Sequence, residues 1–503
     1  MRILLVHPRY PASFWTLSGA IPITGKPGMM MNLALPTLAA LTPDDVEVQV
    51  VDEGVEDLDL DTPCDVVGIT GYVTQRARMI ELAGEFRQRG SLVVIGGPYA
   101  SLSPQVLRPH ADVLFRGEAE ETWPRFVEDL RAGRWQDEYV QTGNVDVQAS
   151  PPPRVGAMRN GRYHMGAVQT SRGCPFECEF CDVIVYLGRR QRHKHPDQVV
   201  GELAQLHAAG YRQVFVADDN FTAHRGRAAE MLRAIAEWNG ARRERLALST
   251  QLSIDVARSG DEPLLDLCVE AGMSLAFVGI ETPSEAALLE VKKRQNLRGD
   301  LLGDVHKLQA HGIAVQAGMI VGFDSDGPDV FARQHEFAQQ ANTPMISLGM
   351  LNAPEGTPLA ARLAADGRLR SDLVDDVYLS TNMVPKQMST DALVAGTRWL
   401  MNRLYAPDAF VERLTGLGRQ LPAASSTQGL GREGAVLWDR IVRVYAELGD
   451  GFDRLPHTGL GAFRHKDLSH LVTALIYYCH MVRVLRSWRV WDPELARAAE
   501  PVW

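Results

Sequence analysis

Cysteine is scarce, with six in 503 residues. So few, scattered along so long a chain, exclude a disulfide scaffold and suit a reducing compartment. Positive charge is in deficit too. The chain has 52 Lys and Arg against 62 Asp and Glu, a formal net charge of −10. That argues against a nucleic-acid partner, whose phosphates call for a basic face. No unbroken apolar run reaches the roughly 20 residues of a membrane span. The nearest approach, residues 468–485, is interrupted by His470, His480 and Arg483 and reads as a buried helix. No basic, apolar leader opens the chain, since Met1-Arg2-Ile3-Leu4-Leu5-Val6 runs straight into strand-like sequence. A cytoplasmic protein without a membrane span is therefore expected. At 45% hydrophobic and 23% charged, the composition is globular and the length suits about three domains.

Half of the cysteines stand together. Cys174, Cys178 and Cys181 lie within Gln169-Thr170-Ser171-Arg172-Gly173-Cys174-Pro175-Phe176-Glu177-Cys178-Glu179-Phe180-Cys181-Asp182. Thiolates are the usual ligands of iron–sulfur clusters, and a four-iron cluster takes four ligands. A run that offers three leaves one iron open to a further molecule, which turns an electron carrier into a reaction centre. The competing reading is structural zinc, which closes its tetrahedron with a fourth Cys or His and mostly uses two-residue gaps. His193 and His195 are near enough in sequence to keep zinc open. Cys64, Cys268 and Cys479 stand singly in apolar surroundings and read as buried core residues.

The gaps of three and then two residues, with Phe180 before the last cysteine, closely resemble the radical S-adenosylmethionine (radical SAM) enzymes. In that family the open iron chelates the amino and carboxylate groups of SAM, and an electron from the cluster splits the sulfonium to a 5′-deoxyadenosyl radical. The resemblance implies a [4Fe-4S] cluster on Cys174, Cys178 and Cys181, with SAM as cosubstrate and Phe180 beside it. It also implies a reductant such as flavodoxin or ferredoxin and a small-molecule substrate.

Residues 3–6, 46–51, 66–70, 92–95 and 113–115 are continuous apolar runs, the mark of parallel strands covered on both faces. Helical patterns at 33–41 and 76–89 separate them. This predicts an α/β fold opening with a doubly wound parallel sheet over 1–150, which binds ligands at its strand carboxyl ends. The loops there are His7-Pro8-Arg9-Tyr10, Thr70-Gly71-Tyr72-Val73-Thr74-Gln75, Gly96-Gly97-Pro98 and Gly117-Glu118. Their glycines let backbone approach a flat ligand. Ser150-Pro151-Pro152-Pro153-Arg154 reads as a stiff, extended boundary. A second series follows over 151–370, with strands at 167–169, 213–216, 246–250, 275–279, 314–321 and 347–351 and helices such as 196–207, 227–238 and 283–291. Six repeats make a partial (β/α)6 barrel whose chemistry sits at its carboxyl-terminal mouth. Residues 371–503 read as a helical C-terminal domain without a catalytic motif, with Trp399, Trp438, Trp488 and Trp491 as core or lid residues and 417–431 as a loop. Met29-Met30-Met31 reads first as soft core packing, with a polarizable wall as the alternative.

Polar residues follow the barrel strands in order. By the radical SAM resemblance, Asp218, Asp219 and Asn220 contact the amino group of SAM, although a bare Asp-Asp-Asn is also a common helix cap. Thr250 and Gln251 are implied as polar contacts to SAM and Glu281 as a partner of its ribose. The segment 318–324 suits adenine packing. The order of the cysteine loop, Asp218 to Phe221, Gly279-Ile280-Glu281-Thr282-Pro283, Gln295-Asn296, 321–326 and a helical tail resembles the cobalamin-binding-domain radical SAM enzymes that include the hopanoid C-2 methylases. That resemblance implies cobalamin on the amino-terminal sheet, with Thr70, Gly71, Tyr72, Thr74, Gln75, Gly96, Gly97, Gly117 and Glu118 as its candidate contacts.

Two departures stand out. The Asp-x-His-x-x-Gly signature that supplies an axial imidazole to many cobalamin domains is missing, and His7 and His110 lie in other contexts. Where hopanoid methylases show Thr-Glu-Ala-Ser, this chain has Thr250-Gln251-Leu252-Ser253, without the carboxylate. The leading expectation is cobalamin-assisted methylation of an unactivated carbon. A second is transfer of a 3-amino-3-carboxypropyl group from SAM to a heteroatom such as arsenic, without cobalamin. The third is a metal-stabilised binding protein that turns nothing over. No catalytic residue is assigned beyond the cluster ligands.

Overall fold

Short β-branched runs alternate with amphipathic helices through most of the chain, and each run forms a strand. The computed structural model describes residues 1–13, 16–258, 260–297, 299–370, 380–424, 432–449 and 451–501. Two compact units result. One comprises Met1–Pro11, Pro27–Asp219 and Ala353–Arg362; the other comprises Ala12–Lys26, Asn220–Asn352 and Leu363–Trp503.

The first unit is built on a six-stranded parallel sheet of β1 (Arg2–His7), β3 (Glu47–Asp52), β4 (Val66–Thr70), β5 (Leu92–Gly96), β6 (Val113–Arg116) and β7 (Glu138–Val140), in the order β3-β1-β4-β5-β6-β7. Leu4, Val6, Val67, Ile69, Val93, Ile95 and Leu114 bury one face against Met79, Leu82 and Phe86 of the helix Arg76–Gln88. Each such side chain contributes about 2 kcal/mol of burial. The strand order reverses between β1 and β4, so a ligand crevice opens at the carboxyl ends of those strands. The same unit holds β2 (Gly28–Met30), β8 (Tyr163–Val168) and β11 (Gln213–Val216), with β2 and β11 both parallel to β8. A short antiparallel hairpin, β9 (Ser171–Arg172) with β10 (Arg192–His193), brackets the cysteine loop.

Three of these pieces were not expected. β2 lies inside the methionine run, where Met31 is buried and Met30 is exposed. β7 and the hairpin are too short to show a period. The proline segment is no free spacer either, because the Arg154 N–H donates to Pro36 O at 2.9 Å and its guanidinium pairs with Asp44 at 3.0 Å.

The second unit carries four parallel strands in order, β12 (Ala247–Leu252), β13 (Met273–Glu281), β14 (Ala314–Val321) and β15 (Met345–Met350). Helices follow, and the longest, Leu468–Ser487, is the core of this part. By length and a mean hydropathy of 1.3 it would suit a membrane, but it lies mostly buried inside the protein. Tyr478 on it stacks on Phe410 with centroids 3.8 Å apart, and the Tyr477 hydroxyl donates to Ile346 O at 2.8 Å. Residues 12–26 also belong here, and the Gly19 N–H donates to His480 Nδ1 at 3.1 Å. Trp399 is buried, whereas Trp438 and Trp491 are half-buried. One expectation is corrected: the helix Pro407–Gln420 runs through the start of the expected 417–431 loop, because Leu414 and Leu417 complete its apolar face. Residues 425–431 lie outside the described residues, as do 371–379 at the expected start of the helical domain.

Candidate metal centre

The cysteine loop leaves β9 at Gly173, whose φ of +88° suits only glycine. A Cβ there would stand 2.7 Å from Arg190 O and 3.1 Å from Gly188 O, both backbone atoms. Cys178 is buried, while Cys174 and Cys181 are half-buried. Burial pushes the Cys181 thiol up to about 12, and the neighbouring Asp182, Cys178 and Cys174 push in the same direction. The three sulfurs are thus close enough to feel one another's charge, and loading the site with metal has to displace protons. Among the described residues, no three His, Cys, Asp or Glu side chains converge on a single ion. A cube binds each thiolate to a different iron, so its ligands need not share one focus, and the loop fits a cluster better than zinc. His195, offered above for zinc, instead caps the helix Pro196–Ala208 by accepting the Asp197 N–H.

The two carboxylates at the end of β11 hold this loop from behind. Asp218 accepts the Thr170 amide (2.7 Å) and hydroxyl (2.5 Å) and the Ser171 amide (3.1 Å) and hydroxyl (2.6 Å). A carboxylate has about four acceptor sites. All are filled by the loop itself. Asp219 accepts the Gly173 N–H at 2.8 Å, directly before Cys174. Burial pushes its carboxyl up to about 6, although the Gly173 bond opposes the shift. Phe180 is half-buried in the turn before Cys181, and its neighbour Glu179 pairs with Arg362 at 3.1 Å.

In the second unit, Asn220 donates to the Ser253 hydroxyl, and the Phe221 N–H donates to Gln251 O at 2.9 Å. The loop after residue 219 is so tied to the end of β12, with Thr250 fully buried. Glu281 ends β13 at φ +61°, its carbonyl accepting from Gln334 at 3.1 Å. Its carboxylate is ion-paired with Lys293, a partner that sequence reading did not assign. Asn296 serves the same turn by donating to Gly279 O and Ile280 O, each at 2.9 Å.

At the sheet crevice, His7 hydrogen-bonds Asp52 through Nδ1 at 3.3 Å, while Gln75 and Tyr10 reach its Nε2 at 3.2 and 3.3 Å. Gln75 also donates to Pro8 O and accepts the Tyr72 N–H at 2.9 Å. Gln75 is thus engaged inside the protein, and both ring nitrogens of His7 already have partners. Glu118 is likewise spent, on Arg172 and Arg192. Thr70 and Gly71 are buried at the end of β4, and Thr74 is half-buried. Gly96, Gly97 and Gly117 line the neighbouring strand ends. Gly97, at φ +93°, has no room for a Cβ, which would meet Thr70 Oγ1 at 2.3 Å. Tyr72 keeps 46% of its surface, yet burial, then the Asp182 and Asp219 carboxylates, push its phenol up. An exposed phenol at the end of β4 that feels those two carboxylates stands near the cysteine loop. Small neutral residues, backbone and one tyrosine fit a large flat group held without an imidazole.

Residues 168–332 match the Radical SAM superfamily, and residues 357–490 match a domain of unknown function, DUF4070. An uncharacterized methyltransferase of Synechocystis sp. is 34% identical over 82% of this chain and 78% of that protein. The hopanoid C-2 methylase of Rhodopseudomonas palustris is 31% identical over the same shares, 82% and 78%. Among solved structures, the cobalamin-dependent S-adenosylmethionine radical enzyme OxsB shares the fold at a TM-score of 0.64 and 15% identity, over 97% of this chain and 80% of that one. The fold is thus α/β, with parallel sheets, a partial barrel and a helical C-terminal region, and the radical SAM match implies a [4Fe-4S] cluster and SAM. With a glycine-led three-cysteine loop and this likeness, the chain belongs to the cobalamin-binding-domain radical SAM enzymes that include the hopanoid C-2 methylases.

Proposed function

We propose that this enzyme methylates an unactivated carbon of a small molecule, with cobalamin on residues 1–150, the cluster and SAM on 151–370, and 371–503 as a helical C-terminal domain. When bound, the cluster supplies the electron that splits SAM, and cobalamin supplies the methyl relay. The chain's own part is placement. Cys174, Cys178 and Cys181 hold the cluster. Asp219, Asn220, Thr250, Gln251 and Glu281, with Phe180, are the proposed SAM contacts, and Lys293 pairs with Glu281. Thr70, Gly71, Tyr72, Thr74, Gly96, Gly97 and Gly117 are the proposed corrin contacts. A flavodoxin or ferredoxin is the proposed reductant and the cytoplasm the proposed location, since a reducing compartment preserves such a cluster.

The observation that carries this reading is the exposed Tyr72 phenol at the carboxyl edge of the sheet, which feels Asp182 beside Cys181 and Asp219 beneath the loop, joined to relatives named for methyl transfer. Those names also weigh against transfer of a 3-amino-3-carboxypropyl group. Anaerobic reconstitution with hydroxocobalamin should leave corrinoid bound near one per chain, with S-adenosylhomocysteine and 5′-deoxyadenosine as SAM products. No bound corrinoid and methylthioadenosine as the product would refute the proposal.

A further inference from the structure

Gly117-Glu118-Ala119-Glu120, the loop after β6, is bolted to the cysteine loop by two arginines. Glu118 takes Arg172 Nη1 at 2.9 Å on one oxygen and Arg192 Nη1 at 2.6 Å on the other. Glu120 takes the same Arg172 nitrogen at 2.5 Å and the Ser150 hydroxyl at 3.0 Å. Arg172 and Arg192 stand opposite each other in the β9/β10 hairpin. Arg192 also donates to Val145 O and Leu187 O, each at 3.1 Å, and Arg172 Nε donates to Gln169 Oε1 at 2.7 Å. The four ionic side chains are 6–15% exposed.

Burying such a cluster costs desolvation that apolar residues would not incur, so stability is a poor reason for it. Two planar guanidinium groups, each holding carboxylate through Nη1 and a further acceptor through another nitrogen, supply something else, a defined distance and angle. Arg172 is two residues before Cys174. The first ligand is therefore set from one side by Asp218 and Asp219, and from the other by a residue on the sheet.

We propose that Glu118, with Arg172 and Arg192, is a positioning device that sets where the cysteine loop stands relative to the ligand-facing edge of the sheet. The inference rests on the radical SAM reading of that loop. Glu118 touches neither SAM nor the reacting atoms; it acts through the arginines.

The test uses full-length Glu118→Gln, Arg192→Gln and the double variant after anaerobic reconstitution. Iron per chain should match the parent, because all three cysteines remain. The change that SAM produces in the electron paramagnetic resonance spectrum of the dithionite-reduced cluster should weaken. SAM cleavage should fall about 10- to 100-fold in kcat with little change in KM. The double variant should lose no more than the worse single one, as parts of one unit do. Glu118→Asp, which keeps the charge but withdraws it by one methylene, should stay slow; recovery to the parent rate would overturn a geometric role. Parent-like spectra and rates in Glu118→Gln, or additive losses in the double variant, would overturn the proposal outright. If Glu118→Gln folds poorly, Arg192→Lys, charged but without the fork, should show the same signature. Should the parent cluster itself ignore SAM, the radical SAM reading fails, and alkylation of the metal-free chain then decides the clamp. Faster labelling of Cys174 and Cys181 in Glu118→Gln supports it, and equal rates sink it.

Discussion

Asp218 accepts both the backbone amide and the side-chain hydroxyl of Thr170, at 2.7 and 2.5 Å, from a fully buried position. With the matching pair from Ser171, this makes the carboxylate the anchor of the segment that delivers the proposed cluster ligands. Asp218→Ala removes all four acceptor interactions and strands the two amides, a loss of about 2–4 kcal/mol. The expected outcome is a lower melting temperature and poor retention of iron. Normal iron content with only weakened SAM binding would return Asp218 to the role of a SAM contact.

The cysteines themselves give a sharper test. Cys178→Ala should leave a folded protein with the open-iron spectrum and reductive SAM cleavage both lost. If this variant still cleaves SAM reductively, the ligand assignment is wrong.

Gly173→Ala probes the backbone alone. The added methyl would sit 2.7 Å from Arg190 O at a φ of +88°, so the hairpin must shift and the loop with it. Cluster loss without loss of global fold, read by iron analysis and far-ultraviolet circular dichroism, is the expected result. An intact cluster would show that the turn has slack.

Asp326 in the second unit gives a pH signature. Burial pushes its carboxyl up to about 6, against the Gly322 and Phe323 amides that it accepts and with Glu290 adding to the rise. The folded state therefore holds this proton more tightly than the unfolded chain, whose carboxyl titrates near 4. The contribution is fully present below about pH 4 and is lost as pH rises through about 6, on the order of 3 kcal/mol in all. Asp326→Asn, which keeps an acceptor for both amides, should flatten the stability profile across that window. An unchanged slope in urea melts from pH 4 to 7 would remove Asp326 as its source.

Arg413 is fully buried and, among the described residues, donates to neutral acceptors, Thr343 O at 2.9 Å together with Leu404 O and Gln339 Oε1. Burial lowers its pKa to about 10. Arg413→Met fills similar volume but strands those oxygens, at a cost of about 3–5 kcal/mol. The melting temperature should fall while the Cys178 loop keeps its iron; an unchanged melt would mean water replaces the guanidinium.

Much was legible in the sequence because it is local. The apolar runs at 66–70, 213–216 and 314–321 became strands with those same bounds, since a buried parallel strand has no polar face to blur its ends. The cysteine spacing, read as a cluster loop, needed no neighbours at all. Short pieces such as β2 and β7 were invisible, because three residues carry no period and their pairing comes from partners far along the chain.

What only tertiary structure decided is which polar side chains remain for a ligand. Composition and motif place Asp218, Gln75, Glu118 and Glu281 at strand ends, where a carboxylate or amide suits a cofactor. Folding then commits the first three, to Thr170 and Ser171, to His7 and Pro8, and to Arg172 and Arg192, whereas Glu281 pairs one oxygen with Lys293 and keeps the other. A buried polar group must be paired, and its partner is chosen by the approach of segments tens to hundreds of residues apart. The residue type and its strand are written in the sequence; the partner that leaves it free or spends it is written in the fold.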